Sequence, residues 1–240
     1  MANRFPRIDP LGEDALLVRF TDVLDDAANR AAMAFRAALD ADPPDGVEET
    51  ASSLGSVLVR GGGDGLEADL GARLGARDWA NVPLPPRRLW RVPCAYGGAD
   101  GPQLAEAAAM AGLDEDAAVA ALSGARLRVL ALGFAPGMPY LGILPPRWDL
   151  PRQTDLTPKV PEGALVVAVR QLVLFGTEAP TGWRQVGRTA FGCFDPGRAR
   201  PIALAPGDEM TFPAVSPAEL EDRAAADPDR HGGATWERLS

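Results

Sequence analysis

Apolar residues recur along this chain at two different spacings, and the change of spacing divides it. Residues 25 to 40, DDAANRAAMAFRAALD, put Ala28, Ala31, Ala32, Phe35, Ala38 and Leu39 at helical spacing, and Asp25 or Asp26 can cap the start. Residues 10 to 20 predict a strand with a buried run from Ala15 to Val18. A Pro-Pro-Asp-Gly turn follows the helix at residues 43 to 46. Residues 47 to 51 and 56 to 60 then predict two strands joined near Gly55. Residues 64 to 79 predict a second helix through Leu66, Leu70, Leu74 and Trp79, and residues 88 to 95 a fourth strand. The order strand, helix, strand, strand, helix, strand is the split βαβ pattern of a ferredoxin-like α/β sandwich.

The second half reads differently. Residues 96 to 102, YGGADGP, form a linker, and residues 102 to 111 and 114 to 122 predict two short helices. Residues 126 to 132 begin a run of short strands, continued at 164 to 169, 172 to 175, 183 to 188, 202 to 205 and 209 to 212. Turns fall between them at Glu162-Gly163, Pro180-Thr181-Gly182, Pro196-Gly197 and Pro206-Gly207-Asp208. Strands at this spacing predict a closed barrel or a sandwich. Ser216 and Pro217 open a last helix over residues 216 to 226, and the tail from Asp227 is polar and read as mobile.

Charge and composition remove several functions. The net charge of -9 speaks against a nucleic-acid partner or an anionic membrane surface. No apolar run is long enough to span a bilayer, and the polar start carries no secretory signal. Two cysteines, Cys94 and Cys193, make no disulfide framework, so the reading is a cytoplasmic protein with reduced, inert thiols. The single histidine, His231, sits in the polar tail. A Ser-His-Asp or Cys-His pair would have to recruit it, and a zinc site of the usual kind lacks ligands, so no metal is expected. Catalysis would fall to carboxylates, Lys or Arg, hydroxyls and backbone amides. The Gly61-Gly62-Gly63 run has no G-K-[ST] after it and reads as a loop rather than a phosphate cradle.

The stretch from residue 132 to 200 carries LGFAPGMPYLG, VPEGALVVA, GWRQVGRT and a Phe-Asp pair, with PGDEMTF after it and PCAYGGADGPQLAE before it. In this order the pieces resemble the family that includes allophanate hydrolase subunit 1, the B subunit of 5-oxoprolinase, the matching part of urea carboxylase, and an inhibitor of a sporulation histidine kinase. The resemblance covers nearly the whole chain. It implies an N-terminal α/β domain and a C-terminal cyclophilin-like β-barrel. With the spacing of the elements this gives an α+β protein: the α/β domain over residues 1 to 95, a helical linker over 96 to 125, the barrel over 126 to 215, and a C-terminal helix and tail over 216 to 240. The resemblance implies a partner with a related barrel, of the type of the 5-oxoprolinase C subunit or of allophanate hydrolase subunit 2. It also implies a small cyclic amide substrate and ATP, used by the assembly to open 5-oxoproline to glutamate. The alternatives are a urea carboxylase or allophanate-type component, and a non-catalytic regulator of a sensor histidine kinase. The chain lacks a biotin-carboxylase portion and a Met-Lys attachment site, which favours the 5-oxoprolinase role over the urea role.

The chain also departs from the family pattern. Leu122 stands where a His is typical, and Leu127 where a Tyr is typical. Met138 and Ile143 replace Phe and Gly, and Leu156-Thr157 replaces a Pro-Arg pair. Leu172 replaces a Thr, Phe175-Gly176 replaces Tyr-Pro, and Ala179-Pro180-Thr181-Gly182-Trp183 replaces Ser-Pro-Gly-Gly-Trp. Several of these exchange a polar group for an apolar one.

Candidate residues follow from side-chain chemistry and from the family positions they match. Arg152 and Lys159, in a Pro-rich loop, can bind a carboxylate or phosphate, or can be solvated surface charges. Arg188 and Thr189 could serve the same anion, or Arg188 could form a strand-end ion pair. Tyr140 offers a hydroxyl to a substrate. Phe134 and Gly137 would shape a pocket wall, or a structural turn in Gly137's case. Gln171 could read an amide or lactam, or be a packed polar residue. The expected catalytic set is therefore Tyr140, Arg152, Lys159 and Arg188, and the expected substrate-binding set is Phe134, Gly137, Gln171 and Thr189. Trp183 reads as core or an interface anchor, and Asp195 as a turn former rather than a base.

Overall fold

The computed structural model describes residues 5 to 239, which divide into two compact units, one ending at Pro86 and one spanning Arg87–Leu239. In the first unit, β1 (Arg7–Pro10), β2 (Ala15–Arg19), α1 (Asp26–Ala41), β3 (Val47–Ser53), β4 (Ser56–Gly61) and α2 (Leu66–Gly75) follow in order. The four strands form an antiparallel sheet in the order β1-β2-β4-β3. Asp25 caps α1 as expected, accepting a hydrogen bond from the Ala28 amide at 2.8 Å. Phe35 of α1 meets Trp79 edge-on at 4.9 Å within a core that includes Val18, Val57, Val59 and Leu70. The strand expected over residues 88 to 95 is not part of this sheet. Residues 7 to 10 take the fourth place instead, beside β2. RIDP has a single apolar residue ahead of its Pro, so its alternation gave no strand signal.

The second unit contains β5 (Arg87–Arg91), β6 (Cys94–Tyr96), α3 (Leu104–Met110), α4 (Glu115–Gly124), β7 (Leu127–Leu132) and β8 (Pro139–Gly142). It continues through β9 (Thr157–Val160), β10 (Ala164–Ala168), β11 (Gln171–Leu174), β12 (Ala179–Thr181), β13 (Arg184–Thr189), β14 (Glu209–Thr211), α5 (Pro217–Ala225) and β15 (Thr235–Leu239). Nine strands make one curled sheet in the order β15-β5-β14-β7-β8-β11-β10-β13-β6, and β12 pairs with β9 in a separate ribbon. The segment holding β5 and β6 reaches both halves of this order. Its first part runs parallel to β14, and its second part pairs antiparallel with β13. Between them the Cys94 amide donates to the Pro213 carbonyl at 3.0 Å, so the sheet curls into a half-barrel.

Alternation along the central strands splits the core in two. Leu165, Val167, Leu172 and Leu174 join Trp90, Val129, Leu141, Val186 and Phe212 in the cluster that the sheet wraps. Val166, Ala168, Val173 and Phe175 face the other way, with Met138 and Trp183. Both faces are covered, which is why ALVVA and QLVL are buried at every position and read as continuous apolar runs.

Three expectations change here. Leu104, Ala107, Ala118 and Leu122 of α3 and α4 pack into the larger core, so these helices belong to the second unit rather than to a linker. The tail is anchored: β15 pairs antiparallel with β5, placing Trp236 opposite Trp90, and the His231 ring stacks on Phe191 at 5.6 Å. TWERL is a solvent-facing edge strand held by its backbone, so its side chains carry no burial signal. Residues 202 to 205 form no strand, and only a bridge joins Phe194 to Ile202. Among the described residues no helix is long and apolar enough to cross a membrane, and no group of His, Cys, Asp or Glu is placed to hold a metal.

Candidate functional site

A cavity of about 250 Å³ opens on the outer face of the half-barrel. Its floor is apolar: Met138, Val173, Phe175 and Trp183. Tyr140 of β8 stands on one side, and the loop at Arg152, Gln153 and Leu156 on another. Pro180, Thr181 and Gly182 close a third side, and Phe134 lies at the mouth. Phe134 follows β7 in left-handed backbone (φ 70°) and is 72% exposed. A non-glycine residue held there is strained by about 1–3 kcal/mol, a cost that concentrates at functional sites.

Arg152 is the one charged side chain among the lining residues. Its guanidinium lies over the Trp183 ring at 5.6 Å to the centroid, and Tyr140 meets the same indole edge-on at 6.3 Å. The backbone on each side of Arg152 is pinned. Buried Arg184 donates to the Pro151 carbonyl at 2.7 Å and pairs with Glu106 at 2.8 Å, while the Gln153 amide donates to the Gly182 carbonyl at 2.7 Å.

Gln153 is fixed by a chain of amides. Its Nε2 donates to the Trp183 carbonyl at 3.1 Å and to Thr157 Oγ1 at 3.3 Å, and its Oε1 accepts from Gln103 Nε2 at 2.6 Å. Gln103 Oε1 accepts from the Gln185 amide at 2.8 Å, and Gln185 Nε2 donates to the Asp100 carbonyl at 2.8 Å. The DGPQLAE and GWRQVGRT motifs thus meet to position the cavity wall. Thr181 Oγ1 is likewise committed, accepting from the Trp183 amide at 3.0 Å.

The structure brings Phe134, Tyr140 and Arg152 together at this cavity and places the other expected site residues elsewhere. Lys159 is exposed and pairs with Glu178 at 2.7 Å. Arg188 pairs with Asp100 at 2.5 Å, and Thr189 accepts from the Phe191 amide at 3.2 Å. Gln171 is buried at the start of β11 opposite Gly142, and its side-chain nitrogen has no hydrogen-bond partner among the described residues. Gly137 has φ 70°, and a Cβ there would stand 2.5 Å from the Cys193 carbonyl oxygen, so this glycine shapes a turn. Asp195 accepts from the Gly197 amide at 2.8 Å, the geometry of a turn former. Burial raises both thiols above their ordinary range, Cys193 to about 12, which leaves them protonated and unreactive.

Gln153 and Trp183 are cavity-wall residues that the sequence did not single out as such. Trp183 carried a usable signal, as an aromatic beside the Thr-Gly turn. Gln153 carried none, because Gln103 and Trp183, which fix it, lie 50 and 30 positions away in the chain.

A second, wider groove in the first unit is lined by Gly63, Asp64, Gly65, Leu66, Glu67 and Arg7 at the start of α2. Its acids repel phosphate, and Arg7 is paired with Asp9 at 2.9 Å. Gly61 ends β4, and Gly62 and Gly63 continue as a loop.

The chain matches the model of the family described as carboxyltransferase domain, subdomain C and D, over residues 6–204. It is 41% identical over 128 residues to the B subunit of 5-oxoprolinase from Escherichia coli O157:H7, a match spanning 53% of this chain and 59% of that protein. It is 27% identical over 227 residues to the B subunit of 5-oxoprolinase from Bacillus subtilis, spanning 88% of this chain and 93% of that protein. Among solved structures, Kluyveromyces lactis urea carboxylase superposes with a TM-score of 0.72 over 97% of this chain and 24% of that one, at 19% identity, a likeness of fold.

Proposed function

The chain belongs to the family of carboxyltransferase domains, subdomains C and D, and from that premise we propose that it is one subunit of an ATP-dependent cyclic-amide hydrolase of the 5-oxoprolinase type. The observation that carries this reading is the match, along most of the chain, to a protein named as the B subunit of that enzyme. The name of a subunit implies a multi-subunit assembly, and the partner we propose is a second protein with a related barrel. The fold we assign to the second unit is cyclophilin-like, supported by the bridging of its curled sheet through β5 and β6.

In this reading the outer cavity holds the small substrate. Arg152 receives its carboxylate, the Tyr140 hydroxyl bonds a ring heteroatom, and Trp183 packs against the ring. Gln153 and Gln103 hold the wall in place. A triphosphate does not fit the same cavity, because it would need several cations or a run of amides and this wall presents one Arg. ATP therefore belongs elsewhere in the assembly.

The test is reconstitution. The chain is mixed with a barrel partner and any further component, and ATP-dependent release of glutamate from 5-oxoproline is followed. The expected result is turnover only when this chain is present. Turnover without it, or none with any partner set, contradicts the reading.

A further inference from the structure

Two polar groups at the outer cavity are uncommitted, and everything else about its wall is either apolar or engaged. Gln153 and Thr181 spend their polar atoms on the protein itself. Arg152 has no carboxylate partner, and the Tyr140 hydroxyl makes no hydrogen bond, among the described residues. No acid lines the cavity, so it carries one net positive charge. Two large apolar side chains are left in water at its edge: Phe134, 72% exposed, and Leu156, 64% exposed. Phe134 is held there in left-handed backbone.

From this we infer that the cavity selects a monocarboxylate whose body is an apolar ring or short chain, over a carboxylate whose ring is polar. The carboxylate seats on Arg152, the body lies against Trp183 and Phe175, and Phe134 and Leu156 close over it. A single planar cation suits one carboxylate, because its fork matches two carboxyl oxygens. A phosphate dianion would leave charge unmatched in an otherwise apolar wall. A polar ring would find only the Tyr140 hydroxyl to replace its water. This inference rests on the cavity being the substrate site. It leaves 5-oxoproline a substrate of this site and ranks it below cyclic amide acids that carry apolar substituents.

Calorimetric titration of the full chain with three probes tests it: cyclohexanecarboxylate, cyclohexanecarboxamide and 5-oxoproline. Cyclohexanecarboxylate is expected to bind at least about tenfold more tightly than either of the others. Arg152→Met should bring the carboxylate down to the level of the carboxamide. Leu156→Arg should narrow the preference for the apolar ring. Both side chains are exposed, so both variants should fold. Equal or tighter binding of 5-oxoproline, equal binding of the carboxamide, or no saturable binding of any probe overturns the inference. If the assembly turns over 5-oxoproline while the apolar probe does not bind, the inference fails and the proposed function stands. If the apolar probe binds through Arg152 while no partner set gives turnover, the reverse holds.

Discussion

The Arg152 guanidinium lies 5.6 Å over the Trp183 ring, and the two differ sharply in burial: Trp183 is 7% exposed, whereas Arg152 is exposed. Their truncations should therefore separate binding from folding. Trp183→Ala opens a hole in the smaller core and is expected to cost about 3–5 kcal/mol of stability. Arg152→Ala should stay within about 1 kcal/mol of the parent. Thermal unfolding of the two variants checks this. A comparable loss in both would mean that Arg152 is structural.

Asp208 is buried at 3% exposure and accepts from Arg88 side-chain and backbone nitrogens and from the Ala205 amide. Asp208→Ala removes the carboxylate that pairs with Arg88 and leaves its guanidinium only the Ala203 carbonyl, at 2.8 Å, as a hydrogen-bond acceptor. The expected loss is about 3–5 kcal/mol, with Asp208→Asn retaining part of the hydrogen bonding and losing less. Denaturant titration measures both. Equal stability of the Ala variant and the parent would show that this pair is dispensable.

Gly163 has φ 82°, and a Cβ there would stand 2.1 Å from the Thr189 carbonyl oxygen. That carbonyl is strand backbone and cannot rotate away. Gly163→Ala should destabilise by more than about 1 kcal/mol, through both strain and the clash. A melting temperature unchanged from the parent would contradict the geometry.

His231 stacks on Phe191 and meets Trp90 edge-on at 5.4 Å. Burial holds its pKa below the ordinary 6.5, with the Arg198 and Arg88 charges adding to the effect and Asp227 and Asp229 opposing it. The folded state thus binds its proton more weakly than the unfolded state. The stabilisation is present above pH 6.5 and is lost as the pH falls through the folded pKa. Melting temperatures across that window should fall on acidification, and His231→Phe should flatten the response. NMR of the one imidazole reads the pKa directly, and a value above the ordinary one would reverse the sign.

How much of this was legible in the sequence depended on whether side chains or backbone carried the information. The capped helix at Asp25, the buried ALVVA and QLVL runs and the Ser216-Pro217 helix start were readable because burial and capping leave local patterns. β1 and β15 were not readable, because backbone pairing at a sheet edge demands little of side chains. The helices over 104 to 124 read as a linker because their Ala-rich faces are small, yet they pack into the main core. At the site, Tyr140, Arg152 and Phe134 were singled out by type and position, and three dimensions bring them to one cavity. Lys159 and Arg188 are equivalent to Arg152 in sequence. What separates them is a carboxylate partner, 88 positions away in the sequence for Arg188 and 19 for Lys159. The exchanges at Met138, Leu156, Phe175 and Thr181 are scattered along the chain, but all four line the same cavity.

The most direct measurement is kcat/KM for ATP-dependent 5-oxoproline hydrolysis by the reconstituted assembly, with this chain as wild type, Arg152→Ala or Tyr140→Phe. Turnover is expected with the wild type, with a loss of about tenfold or more in each variant, concentrated in KM for Arg152→Ala, and with the fold of each variant intact. Turnover that is indifferent to both substitutions would contradict the placement of the substrate between Arg152, Tyr140 and Trp183.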